Sequence, residues 1–231
     1  MSFLWPIRLL CPQSISLDLH PRTYSGGASQ SGRTQISVSD AGYWTVQMAG
    51  FPVYDRDRVN CWRAIENLLE GRLNTVDIEL YNYEYQFSAH GSDVEPSDFL
   101  EVSVTHSDDA TFSDGSGYAS GLVEVELDAS AIVRATSITL DITYAPRIEP
   151  GQIFSIEGDS KGPRFYKVRT FDADTNEMTF RPPLREAVSA GARVEFDRPR
   201  CRMRLASDNA MKLELRAPTI GFPDIALEEA L

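Results

Sequence analysis

The sequence has few of the residues that build disulfide frameworks and metal centres. Its 231 residues include only three cysteines and three histidines. Cys11, Cys61 and Cys201 are widely spaced and form no CxxC pair, so neither a framework of intrachain bridges nor a zinc motif is expected. We therefore expect reduced thiols in a protein synthesised and folded in a cytoplasm, with no metal and no cofactor.

Basic residues are also scarce. Lysine and arginine together number 22 against 34 aspartates and glutamates, which gives a formal charge of -12. A generic DNA-binding protein needs a basic surface to displace counterions, and a peripheral membrane protein needs one to meet anionic lipids. The charge balance argues against both classes.

Long hydrophobic runs are absent. The apolar start, residues 1–11, is interrupted by Pro6 and Arg8 and is too short for a signal sequence or a spanning helix. We expect no membrane anchor. Hydrophobic residues still make up 42% of the chain, which is enough for a globular core.

Hydropathy instead alternates with a period of two, which is typical of strands with one buried and one solvated face. Such one-sided strands favour antiparallel sheets, and roughly ten of them predict a β-sandwich or barrel. The clearest alternating stretches, six of these strands, are residues 15–20, 76–80, 123–128, 138–143, 202–205 and 212–216.

One stretch has helical spacing. Between residues 58 and 72 the apolar side chains recur every three or four positions, including Val59, Trp62 and Ile65. Asp55 or Asp57 can cap the start, and Gly71 can lie just beyond the end. We expect this single amphipathic helix to pack on a sheet.

A Pro/Gly-rich segment at residues 145–151 suggests a boundary. Four or five short strands follow it within about 50 residues, which suits a small β-barrel. The predicted organisation is a β-sandwich with the helix, formed by residues 1–146 and 199–231, and a small inserted or appended β-barrel module at residues 147–198.

The sharpest motif is GDSKGP at residues 158–163. It fits GxSxG and is similar to the nucleophile box of trypsin-like proteases, with Ser160 as nucleophile. A serine nucleophile needs a histidine base, and His20, His90 and His106 lie in no suitable context. A strand rather than a helix follows Ser160, unlike the elbow of α/β-hydrolases. We interpret the motif as a hairpin loop.

Two acidic stretches resemble calcium loops only superficially. Residues 172–177 begin like an EF-hand, but Glu177 and Pro183 stand where glycine and glutamate are required. Asp108, Asp109 and Asp114 lie in a Ser/Asp/Gly-rich segment that we interpret as a solvated loop. No metal site is predicted.

Several segments stand out by the order in which they occur. The segments are GGASQSG (26–32), SDAGYW (39–44), WRA (62–64), LEGR (69–72), GQIFSI (151–156), RFY (164–166), TFRPPL (179–184) and CRMRLA (201–206). None of them is a catalytic signature. Their order is similar to that in the minor tail proteins of long-tailed, siphovirus-like bacteriophages and of gene-transfer particles, most of all to a distal tail or baseplate protein.

The resemblance implies a non-enzymatic structural protein of the virion. Such a protein forms a ring, usually of six copies, that joins the tail tube to the baseplate or tip. It contacts the tube, hub and tape-measure proteins, and DNA passes through its lumen without specific binding. An acidic chain is compatible with that passage, since an acidic wall does not bind phosphate.

A ring requires extensive contact between subunits, and two features are candidates for it. Residues 22–38 form a predicted intersubunit arm, because the glycine-rich segment gains from ordering only against a neighbour and the following residues alternate like a strand. A strand face with three tyrosines is the second candidate. The candidate interface residues are Arg22, Gly26, Gly27, Gly32, Arg33, Tyr81, Tyr83 and Tyr85.

Two alternative functions remain open from the sequence. The three tyrosines, or the loops at residues 88–120 and the module at 147–198, could bind host glycans, which would make the chain a carbohydrate-binding module. A serine hydrolase that uses Ser160 is the other alternative.

Overall fold

A computed structural model describes residues 2–28, 34–80, 123–145, 148–158, 160–216 and 220–231. The fold prediction is confirmed: the chain is mainly β, with two six-stranded sheets and one helix, α1 (Arg56–Leu69). The strands are β1 (Ser2–Leu4), β2 (Ser14–Ala28), β3 (Thr34–Ala49), β4 (Thr75–Glu79), β5 (Glu124–Leu127), β6 (Ser137–Tyr144), β7 (Ile153–Gly158), β8 (Gly162–Asp172), β9 (Glu177–Arg181), β10 (Val194–Glu195), β11 (Arg200–Leu205) and β12 (Ile225–Glu229).

The first sheet has the strand order β1-β4-β11-β12-β3-β2. All its neighbours are antiparallel except the short β1, which runs parallel to β4. Alternation along the strands places one face on the core, as in β11, where Cys201, Met203 and Leu205 are buried. This sheet is open, with β1 and β2 at its edges.

Helix α1 packs on this core through Trp62, Ile65 and Leu69, as its spacing predicts. Asp55 is the N-cap: its Oδ1 accepts a hydrogen bond of 2.7 Å from the backbone N–H of Arg58. At the other end Glu70 takes the left-handed conformation that ends many helices, so the helix ends three residues before the predicted limit of residue 72.

The second sheet has the order β10-β7-β8-β9-β6-β5 and is wholly antiparallel. Its two terminal strands approach each other, because an isolated bridge joins Glu126 of β5 to Arg193, next to β10. The sheet is therefore nearly closed into a small barrel around its own core.

Sheet membership differs from the predicted organisation. Strands β5 and β6 precede residue 147, yet both belong to the second sheet, where β6 pairs with β9. Their buried residues, such as Val125 and Leu140, lie in the second core. The alternating pattern that predicts these strands carries no information on which sheet they join.

One predicted strand is wrong. Residues 212–215 alternate in hydropathy but form no strand. Met211 is buried and its carbonyl oxygen accepts a hydrogen bond of 2.9 Å from the Trp62 indole. Arg216 forms an isolated antiparallel bridge with Ile220 rather than pairing with a strand of the sheet.

Candidate subunit interface

The longest element of the fold is the hairpin of β2 and β3. Within β3, residues 45–48 alone pair with β12. Strands β2 and β3 continue to pair with each other well beyond this point, as far as Ala28 and Thr34. Beyond the base of the hairpin no other described strand pairs with either partner. We call residues 22–28 and 34–39 the ribbon; at about 3.4 Å per residue it reaches on the order of 20 Å past the sheet.

The ribbon contains the predicted arm. Arg22 lies opposite Ser39 in the register, and Gly26 falls in the irregular stretch between Ser25 and Ala28. Gly27 has φ +81°, a conformation that glycine adopts without strain. Gly32 and Arg33 lie outside the described residues.

The ribbon side chains that the structure describes are open to solvent. Thr23, Ser25, Ile36 and Ser37 are exposed, and 67% of the surface of Ile36 is accessible. A two-stranded hairpin by itself is only marginally stable in water. The outer edge of β2 also ends the sheet, so it carries backbone groups that no neighbouring described strand satisfies.

The second candidate is the strand face with three tyrosines. Tyr81, Tyr83 and Tyr85 lie outside the described residues, as do the loops at 88–120 with Asp108, Asp109 and Asp114 and two of the three histidines. The remaining histidine, His20, stacks on Tyr43 at a ring-centroid distance of 5.7 Å, next to the base of the ribbon.

At the base of the ribbon the two sheets are joined. The Trp44 indole donates a hydrogen bond of 2.7 Å to the carbonyl oxygen of Phe165 on β8, and the rings of these residues meet edge to face. The backbone N–H of Trp44 donates to Oε2 of Glu229 at 3.1 Å. The ribbon therefore emerges from a fixed point between the sheets.

Glu229 is the centre of this junction, and its side chain is fully buried. Arg185, which lies between β9 and β10 of the second sheet, donates to both carboxylate oxygens, with Nε at 3.0 Å and Nη2 at 2.9 Å. A second arginine, Arg164 of β8, places Nη1 3.7 Å away. Such a bidentate pair is among the stronger hydrogen-bonded contacts in proteins.

This junction is not among the sites predicted from the sequence. A signal for it exists: Ile225 and Leu227 alternate inward on β12, and the next inward position is the charged residue Glu229. A carboxylate at a core position requires a buried partner. Nothing in the spacing identifies Arg185 as that partner, since 44 residues separate the two.

Ser160 lies in the turn between β7 and β8, as the hairpin interpretation of GDSKGP predicts. Its hydroxyl donates a hydrogen bond of 2.7 Å to Glu186, and the backbone N–H groups of Ser160 and Lys161 donate to the same carboxylate at 3.1 Å each. A carboxylate thus occupies the N–H groups that an oxyanion hole would need. Gly158 leaves room for it, because a Cβ there would lie 1.7 Å from Oε1 of Glu186.

The electrostatics of this turn follow from those bonds. Partial burial acts to raise the pKa of Glu186, but the hydrogen bonds from Ser160 and Lys161 outweigh it and hold the pKa below its usual value. The carboxylate is consequently ionised at neutral pH and holds the turn through these three hydrogen bonds.

Over the described ranges no three His, Cys, Asp or Glu residues gather closely enough to hold a metal ion. The three cysteines are free, with Cys11 exposed and Cys201 buried. In the same part of the chain no helix has the length and apolar character needed to cross a membrane. Comparison with known proteins finds no family model and no curated protein that matches this chain.

Proposed function

We propose that the chain is a structural subunit of a ring at the distal end of a phage tail, where it joins the tail tube to the baseplate or tip. The order of sequence segments described above supports this function. The structural observation that carries the proposal is the ribbon, a long pair of strands that leaves the sheet and has no partner in its own chain among the described residues.

The ribbon suits assembly because strand edges pair readily with other chains. Soluble proteins usually shorten, charge or cover such edges, since an exposed edge invites association. Here the edge strand β2 is fifteen residues long. Addition of the ribbon to a neighbouring sheet would satisfy its backbone and cover its side chains. Repetition of that contact around a symmetry axis closes a ring, for which we propose six copies.

The other parts of the proposal concern partners and place. The subunit would be synthesised in the host cytoplasm and reside in the virion tail, in contact with tube, hub and tape-measure proteins, while DNA passes through the ring without specific binding. The proposed role is not enzymatic. In support, the hydroxyl of Ser160 donates to Glu186 rather than to a histidine.

Deletion of residues 26–32 tests the ring. We expect the purified chain to sediment as a closed oligomer and the deletion variant to remain folded by circular dichroism but monomeric by sedimentation velocity and native mass measurement. Deletion of residues 108–114, an equally long stretch with three aspartates that lies outside the proposed contact, is the control and should still assemble. A 26–32 deletion that forms rings would refute the arm, and a wild-type chain that is monomeric at all concentrations would refute the ring.

A further inference from the structure

An exposed patch of large apolar side chains lies where residue 53 meets residue 221. Val53 and Gly221 form an antiparallel bridge, and Val53 points into the core with no exposed surface. Alternation places the flanking residues Tyr54 and Ile220 on the opposite face. Both are about half exposed. Phe222, which follows Gly221 directly, is 57% exposed. We call Tyr54, Ile220 and Phe222 the aromatic patch; soluble monomers rarely leave such groups together in water.

The side of the aromatic patch nearest helix α1 is basic. Arg56, Asn60 and Arg63 follow each other at helical spacings of four and three, so they share one face of α1. Together with Tyr54 and Leu215 they line a groove of about 350 Å³. Both arginines are exposed. In a chain of net charge -12 this groove is a local reversal of sign.

The acidic residue at this groove is already engaged. Asp55 accepts from the backbone of Arg58 as the helix cap and also pairs with the guanidinium of Arg58. That guanidinium in turn lies 4.3 Å from the centre of the Tyr54 ring. Asp55 is therefore engaged with Arg58 rather than with Arg56 or Arg63, the two arginines that line the groove.

A second exposed apolar patch lies on the other sheet. In the loop after β5, 76% of the surface of Ile132 is exposed and Val133 is about half exposed. The loop and the start of β6 line a groove of about 280 Å³ that contains Ala131, Ile132 and Ala135. We call Ala131, Ile132, Val133 and Ala135 the aliphatic patch. Arg134, within the same loop, is engaged inside the chain.

Acidic residues of the same sheet lie beside the aliphatic patch, and one of them, Glu177, lines its groove. Glu126 and Asp141 lie directly opposite each other on β5 and β6, both exposed, and Asp128 follows at the end of β5. Like charges at facing positions destabilise a sheet unless cations approach them. Arg193, which bridges Glu126 through the backbone, directs its guanidinium to Glu195 at 3.0 Å instead.

We propose that the aromatic patch of one copy docks, head to tail, on the aliphatic patch of a second copy. Each patch is apolar at its centre, and their rims have opposite charge, which is the pattern of an interface that fixes orientation electrostatically. Two different patches on one chain make the contact heterologous, and a heterologous contact that closes produces a ring. The inference rests on the proposed function, and it names the partner as this same chain.

Charge reversal tests the contact. Variant A carries R56E and R63E, variant B carries E126K and D141K, and variant AB carries all four. We expect A and B each to be folded by circular dichroism but monomeric by sedimentation velocity, and AB to regain rings. Equal mixing of A and B should restore rings with an even number of copies, because only unlike variants then have complementary rims. Reversal at the exposed turn residue Asp174, D174K, is the control and should assemble as the parent does.

The outcomes separate this contact from the ring itself. Rings of A or of B that persist as in the wild type would overturn the contact and leave the ring function standing. Monomeric AB and a monomeric A–B mixture would also overturn it. A wild-type chain that never assembles refutes the proposed function before any variant is compared. Phe222→Ser, which leaves every rim charge in place, should weaken assembly on its own, and normal rings of this variant would contradict the apolar half of the contact.

Discussion

Each of the two sheets buries a cluster of aromatic side chains, but the sheets differ in how their edges are arranged. In the first, Trp5, Phe51 and Trp62 cluster beneath helix α1 with ring centroids 5.2–6.2 Å apart. In the second, Phe154 contacts three other aromatic rings. Only the second is nearly closed, by the bridge of Glu126 in β5 with Arg193 next to β10. A nearly closed sheet offers a partner little backbone edge, so we expect strand pairing between chains to use the first sheet.

The largest expected effect is on the first core. Trp62 has no exposed surface, and its indole N–H bonds to Met211. Trp62→Ala should lower the free energy of unfolding by about 3–5 kcal/mol, through lost burial and the cavity left behind. Hydrogen exchange should rise in β4 and β11 more than in β7 to β9 if the two cores open separately. Leu68→Ala, at a half-exposed position of the same helix, is the control and should have little effect.

The contrast between the sheets was only partly open to sequence reasoning. Alternation predicts most strands, because half-buried strands repeat every two residues, and the spacing around Trp62 predicts the helix. The sequence does not show which sheet β5 and β6 join, because this depends on pairs of residues that are distant in the chain. Thr139 and Glu177, which lie opposite each other, are 38 positions apart. The arm is predicted from glycine and alternation, whereas the Arg185–Glu229 junction depends on the tertiary fold.

The next effect concerns the junction that couples the sheets. Glu229→Gln leaves Arg185 and Arg164 beside an uncharged amide in a buried site. Loss of one member of a buried charge pair should cost roughly 3 kcal/mol. Urea denaturation followed at separate probes in each sheet should show the two transitions moving apart. A single unchanged transition would mean that the junction does not hold the sheets together.

A smaller loss of stability is expected from a change at the N-terminus of α1, the helix that packs on the first sheet. Asp55→Ala removes the side-chain acceptor for Arg58 N–H and should cost about 1 kcal/mol, as N-cap losses do. Asp57→Ala, at the other candidate cap, is the matched control. Equal losses in thermal melts of both variants would contradict the assignment of the cap.

The smallest effect belongs to the turn of the second sheet and depends on pH. The pKa of Glu186 is lowered in the folded state, so its ionised carboxylate contributes stability that is present above the pKa of the unfolded chain and is lost as pH falls through the folded value. Glu186→Gln should therefore be less stable than the parent at neutral pH, and the difference should shrink as the solution is acidified. If the difference in stability between the two proteins stays constant down to acidic pH, the charge of the Glu186 carboxylate does not contribute to stability.

Strand β8 limits how the protein could be divided or recombined. Its successive residues Phe165 and Tyr166 belong to different cores, the first to the helix-bearing core and the second to the barrel. A gene fragment for residues 147–198 alone would lack β5 and β6 and would present Phe165 to water. The barrel is therefore not a cassette that can be moved between proteins by itself. Any exchange that preserves folding must carry along the Trp44 and Glu229 surface on which β8 rests.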